Sequence, residues 1–159
     1  MDATTMQSIT SLINRLQSAY PDLLFDARNE FHWSPESKTI TYPKDTEDTS
    51  SLLHEVAHAV LEHASYTRDI ELIEMERAAW QYAQIRLAPL YGVAVSDDFV
   101  EDSLDTYRDW LHARSLCPQC GATGIQIKTA EYKCVACHTH WQVNEARICA
   151  LRRYKITTN

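Results

Sequence analysis

The first residues whose types and spacing suggest chemistry are His54-Glu55-Val56-Ala57-His58. On a helix, two histidines four apart stand on one face, one turn from each other, where two imidazoles can bind a single Zn²⁺. A glutamate beside the first histidine can take a proton from a metal-bound water. The chemistry that follows is hydrolysis by an activated water. Leu52, Leu53, Val56, Ala57, Val60 and Leu61 supply the apolar surface that would bury such a helix.

A catalytic zinc needs a third protein ligand. His63 is close in sequence, but a helix turns about 100° per residue. His63 therefore points about 140° away from His58 and about 180° from His54, and reads as a helix-end or surface histidine. The next helical segment, residues 69–87, is the better source. Ile73, Trp80, Ala83 and Leu87 mark a buried stripe, and Glu76 falls on it, three after Ile73 and four before Trp80. A carboxylate on an inner face requires a partner, and a metal is one. Glu76 is therefore the first choice, with Glu74 and Glu71 as alternatives. Tyr66, Tyr82, Arg77 and His112 are candidates to stabilise an oxyanion.

A second constellation lies further on. Cys117-Pro118-Gln119-Cys120 and Cys134-Val135-Ala136-Cys137 form two C-x2-C pairs thirteen residues apart. Each pair makes a tight knuckle, and two knuckles offer four thiolates to a tetrahedral, structural Zn²⁺. Residues 125–128, 131–133 and 141–143 read as short strands around them, the pattern of a zinc ribbon too small to fold without its metal. Cys134–His138 also matches the C-x-x-C-H haem-attachment string, but that leaves the upstream pair without a role. Cys149 stands alone as a buried or free thiol.

The elements that must position these residues follow from periodicity. Residues 5–19 have helical apolar spacing, ended by Tyr20-Pro21. Residues 22–27, 29–33 and 38–42 alternate and suggest a small, mostly antiparallel sheet, with Ser34-Pro35-Glu36-Ser37 as a turn. The strand at residues 39–42 is a candidate to bind an extended substrate by strand addition. A helix beginning at Thr49 or Ser50 carries the two histidines to about residue 64. A further helix, capped by Ser96-Asp97-Asp98, presents Phe99, Val100, Leu104, Tyr107, Trp110 and Leu111 as a buried face. The fold class expected is α+β: a mainly helical zincin-like domain with a small antiparallel sheet over residues 1–113, then a zinc ribbon with a basic tail over 114–159.

The run HEVAHAVLEH, followed by the acidic helix MERAAWQYA and Leu87-Ala88-Pro89, resembles the ImmA/IrrE family of small gluzincin-type metallopeptidases. The resemblance covers residues 38–90. It implies a small sheet beside the active-site helix, a glutamate of the next helix as third zinc ligand, and zinc-dependent endopeptidase activity. A transcriptional repressor is the kind of substrate it implies. The layout of an HExxH domain before a cysteine module is also similar to that of SprT-like DNA-associated proteases. Those use a further downstream histidine, and none stands between His63 and His112.

Composition sets the outer bounds. Residues 1–113 hold 20 acidic and 8 basic side chains, residues 114–159 only 2 against 7. The acidic body should repel nucleic acid, whereas the tail, with Arg147, Arg152, Arg153, Tyr154 and Lys155, allows weak, salt-sensitive contact. No apolar run approaches a membrane span, and residues 1–7 lack a basic, then apolar, export signal. Five cysteines without such a signal favour metal or free thiols over disulfides in a cytoplasmic protein. The expected activity is that of a zinc metallopeptidase with one catalytic and one structural zinc, acting on a protein or peptide. The rival expectations are a non-catalytic zinc-binding regulator and a nucleic-acid-associated adaptor.

Overall fold

A computed structural model describes residues 8–145 and 150–157. Met6, Arg147 and Cys149 lie outside the described residues. The chain is α+β and divides into two units, Met1–Ala64 with Met75–Val100, and Ser65–Glu74 with Glu101–Asn159. Among the described residues, no helix is long and apolar enough to cross a membrane.

In the first unit, α1 (Ile9–Ala19) starts at Ser8, whose hydroxyl accepts from Ser11 N–H at 3.2 Å. Leu12 and Leu16, four apart, are fully buried, and the helix stops before Pro21. Three short strands follow: β1 (Leu24–Arg28), β2 (His32–Ser34) and β3 (Thr39–Pro43). Their order is β1-β3-β2, with β1 parallel to β3 and β2 antiparallel to it. The expected mostly antiparallel sheet is thus a mixed one. Alternation of side chains reports which face is buried but not the direction of the neighbour. Here β2 serves as the crossover, folding back onto the far side of β3. As a result β3 is the central strand, paired along both edges, and it cannot accept a substrate as an added strand. The free edges belong to β1 and β2.

Helix α2 (Thr49–Val60) begins at Asp48, whose carboxylate accepts from Ser51 N–H at 2.9 Å. It ends four residues before the expected position. The chain turns at Leu61, and Glu62 adopts a left-handed φ of +55°. Leu52, Leu53, Val56 and Ala57 are fully buried and form one cluster with Leu12, Leu16, Ile40, Ala79, Ala83 and Leu87. Helix α3 (Asp69–Tyr82) does not run regularly to Leu87. Its path widens into a π-helical stretch, Ala83–Leu87, where Ala88 N–H bonds the Ala83 carbonyl five residues back. Pro89 has no N–H for the carbonyl four residues earlier and crowds it, which favours the wider turn. The short α4 (Ala88–Tyr91) then ends at Gly92, whose φ of +68° is open to glycine.

Helix α5 (Asp97–Ser115), which belongs to the second unit from Glu101 on, leads to a four-stranded meander: β4 (Gly124–Lys128), β5 (Glu131–Cys134), β6 (His140–Val143) and β7 (Arg153–Lys155), in that order and antiparallel. Of the expected helix face, Val100, Leu104 and Trp110 are buried, while Phe99 is exposed by 39%. Strand β7 was not legible, because its three residues read only as basic tail. The small core is Cys117, Tyr132, Cys134, Trp141 and Val143. Gly124 lets Trp141 lie against the backbone: a Cβ there would stand 2.3 Å from the indole Cη2 and 2.9 Å from the Lys133 carbonyl. Asp69, at the start of α3, belongs to this unit. Its Oδ2 accepts from Tyr132 Oη at 2.5 Å and from Arg114 Nε at 2.8 Å, and all three residues are buried. Arg114 also donates to the Asn144 carbonyl and lies over the Trp110 ring.

Candidate metal centres

Helix α2 presents His54 and His58 on one buried face, and α3 presents Glu76. The three converge. His54 Nε2 and His58 Nε2 are 3.1 Å apart; Glu76 Oε2 lies 2.9 Å from His54 Nε2, and Glu76 Oε1 lies 3.3 Å from His58 Nε2. All three residues are only 6–7% exposed. Despite its 2.9 Å approach to His54, Glu76 Oε2 makes no directional hydrogen bond. One ligand atom from each of the three lies within 4.8 Å of the others, and converging lone pairs in a buried site call for a cation. The group therefore fits a metal ion.

The electrostatics agree. Burial pushes the His54 imidazole down, but the Glu55 and Glu76 carboxylates outweigh it and hold it up at about 9. Burial pushes Glu76 up, but His54 and His58 outweigh that and hold it down at about 2. In the absence of metal, a proton on His54 is the cation this site retains.

Both imidazoles are supported on their far sides. The indole of Trp80 stacks on His54 with ring centroids 4.1 Å apart and planes 10° from parallel. Glu55 Oε1 lies 3.4 Å from His54 Nδ1. His58 Nδ1 lies 2.8 Å from His63 Nδ1. The expectation that His63 points away is corrected: it rested on a helix running to residue 64, and α2 ends at Val60. The turn through Glu62 folds His63 back toward His58. Trp33 Nε1 donates to the His63 carbonyl at 2.9 Å and holds the turn. Neither Trp80 nor His63 was singled out as a support. Trp80 was within reach, since it stands one turn after Glu76. His63 was not, because no glycine or proline marks the end of α2.

The alternatives to Glu76 stand elsewhere. Glu74 is exposed, and Glu71 Oε2 caps the N–H groups of Thr67 and Arg68. Of the oxyanion candidates, Arg77 is exposed and Tyr82 packs half-buried against the first unit's core. Tyr66 and His112 fall in the second unit.

The four cysteines Cys117, Cys120, Cys134 and Cys137 also converge, with Cys117 Sγ 3.6 Å from Cys137 Sγ and Cys120 Sγ 3.5 Å from Cys134 Sγ. The N–H groups of Gln119, Ala136 and Cys137 point at the buried sulfurs, an arrangement that favours thiolate. Thr139, through its hydroxyl and backbone, pulls the Cys137 thiol down to about 6. Neither His138 nor His140 joins the group. No family model, no curated protein and no solved structure matches this chain.

Proposed function

We propose that this chain is a zinc-dependent endopeptidase, with Glu55 as general base and His54, His58 and Glu76 as ligands of the catalytic zinc. The observation that carries the reading is the contrast between the two donor groups. Among the described residues, four thiols close one site, whereas three donors make up the other. Closed sets of four are structural and open sets of three are catalytic. Tetrahedral zinc spaces N and O ligands by about 3.3 Å and sulfurs by about 3.8 Å. The 3.1 Å between the two imidazole nitrogens and the 3.5–3.6 Å between the sulfurs are close to those spacings. The four-cysteine meander is then a zinc ribbon, and the first unit a zincin-like domain similar to the ImmA/IrrE metallopeptidases.

When bound, zinc lowers the pKa of a water to about 7 and polarises the carbonyl under attack. The chain's residues do the rest. His54 and His58 turn Nε2 inward, and Glu76 supplies the anionic ligand that offsets the ion's charge. Trp80 covers one face of His54 and excludes water from it. The Glu55 carboxylate is 13% exposed and lies 3.4 Å from His54 Nδ1. In the proposed reaction it turns toward the attacking water, takes its proton, and passes it to the leaving amide nitrogen. The substrate class is a protein, and the resemblance favours a regulatory protein such as a repressor.

Metal analysis tests this together with one substitution. The wild-type chain should hold two zinc ions, one per donor group. Glu55→Gln should retain both and lose at least about 100-fold in cleavage of candidate partner proteins. Undiminished cleavage by that variant, or a single zinc with all four cysteines intact, overturns the mechanism.

A further inference from the structure

The mechanism above uses the inner nitrogen of His58 and leaves its outer one unassigned. For Nε2 to offer a lone pair to a metal, the ring's proton must sit on Nδ1. A buried Nδ1–H needs an acceptor. His63 Nδ1 is 2.8 Å away, and the two rings meet edge to face with centroids 5.0 Å apart.

His63 is held there from three directions. Its own N–H donates to the His58 carbonyl at 3.0 Å. Trp33, from β2, donates its indole N–H to the His63 carbonyl at 2.9 Å. Glu62, just before it, adopts a φ of +55°, a conformation that non-glycine residues rarely take. A tight turn with an unfavourable backbone angle, tied to the sheet, thus delivers one imidazole to the outer nitrogen of another.

We propose that His63 is a positioning residue for the metal centre, accepting the Nδ1–H of His58 and so fixing that ring's tautomer and aim. His63 then carries its own proton on Nε2. The proposal rests on the zinc reading above. It differs from that reading in assigning work to a residue that touches neither metal nor substrate. Metal-ligating histidines are commonly oriented through the nitrogen they do not use for the metal, and removing such a partner costs about 10- to 100-fold in metal affinity.

The test uses the full chain with Zn²⁺ and a competing chelator, the helical signal recording the folding of the first unit and the cysteine site serving as an internal standard for zinc. Wild-type protein loaded with zinc should show His58 protonated at Nδ1 and His63 unprotonated there, read from ring ¹⁵N shifts. His63→Leu should weaken the histidine-site zinc about 10- to 100-fold while the cysteine site keeps its ion. His63→Asn, whose side-chain oxygen can accept the same proton, should recover most of that loss. If His63→Leu binds as tightly as wild type, the positioning role is wrong and the zinc site stands. If His63→Leu does not fold, the wild-type shifts decide: a proton on His63 Nδ1, or none on His58 Nδ1, overturns the proposal. Should the wild-type histidine site take up no zinc while the cysteines do, the zinc reading itself falls, and this proposal with it.

Discussion

Glu76 and His54 meet as a carboxylate held down at about 2 and an imidazole held up at about 9. The signs of these two shifts set a pH window for the metal-free protein. A raised imidazole stabilises the fold fully below its ordinary value of 6.5 and loses that contribution as pH rises through about 9. A lowered carboxylate stabilises fully above its ordinary 4.5 and loses it as pH falls through about 2. The contribution is therefore complete only between about 4.5 and 6.5. Thermal melts of chelated wild type and Glu76→Gln should differ most within that interval and converge toward pH 9. An offset between the two melting curves that stayed constant from that interval up to about pH 9 would contradict the ion pair. With zinc available, Glu76→Ala should bring the metal count from two to one, the cysteine ion remaining. The choice of Glu76 was legible because helical phase put a carboxylate on an apolar stripe. The role of His63 was not, since it depends on where α2 stops.

Helix ends and tight packing decide matters at the scale of elements. Asp48 caps α2, the helix that presents both histidines, so Asp48→Ala should destabilise the protein by about 1 kcal/mol. The measurement is a denaturant midpoint on the metal-free chain, where zinc cannot mask the loss. Gly124 matters through close approach: an added Cβ meets the Trp141 indole at 2.3 Å and backbone at 2.9 Å. Gly124→Ala should cost about 1–3 kcal/mol and loosen the cysteine meander, read as a lower zinc affinity there. Helix and strand positions were largely apparent from apolar periodicity. What periodicity could not supply was strand direction in the β1-β3-β2 sheet, the π-helical widening at Ala83–Leu87, and the short β7.

On the scale of the whole molecule, each unit closes around its own core. The first is an aliphatic cluster of α1, β3, α2 and α3 with its π-helical extension. In the second, the meander closes around five buried residues, two of them cysteines of the metal group, and so depends on its ion. Chelation should melt that meander while the aliphatic unit retains its helical signal, visible as loss of amide dispersion confined to residues of β4–β7. The second unit also buries the charges of Asp69 and Arg114 together, with Tyr132 donating a further hydrogen bond to the Asp69 carboxylate. Arg114→Ala would leave Asp69 buried without its cation, at a cost of about 3–5 kcal/mol. Denaturant unfolding of the zinc-loaded chain measures it.

The sequence by itself determined the donor types, their spacing within each motif, and the apolar stripes that bury them. His54 and His58 are fixed by one helix turn, and each cysteine pair by one knuckle, so local geometry was enough for both. Only the tertiary structure decided what joins those local sets: Glu76 meeting two histidines from another helix, Trp80 stacking on His54, and His63 folding back to His58. These are contacts between segments, chosen by where helices end and how their buried faces register. The HEVAH string names two ligands and a base; packing around Leu53, Val56, Ala79 and Ala83 brings the third ligand to them.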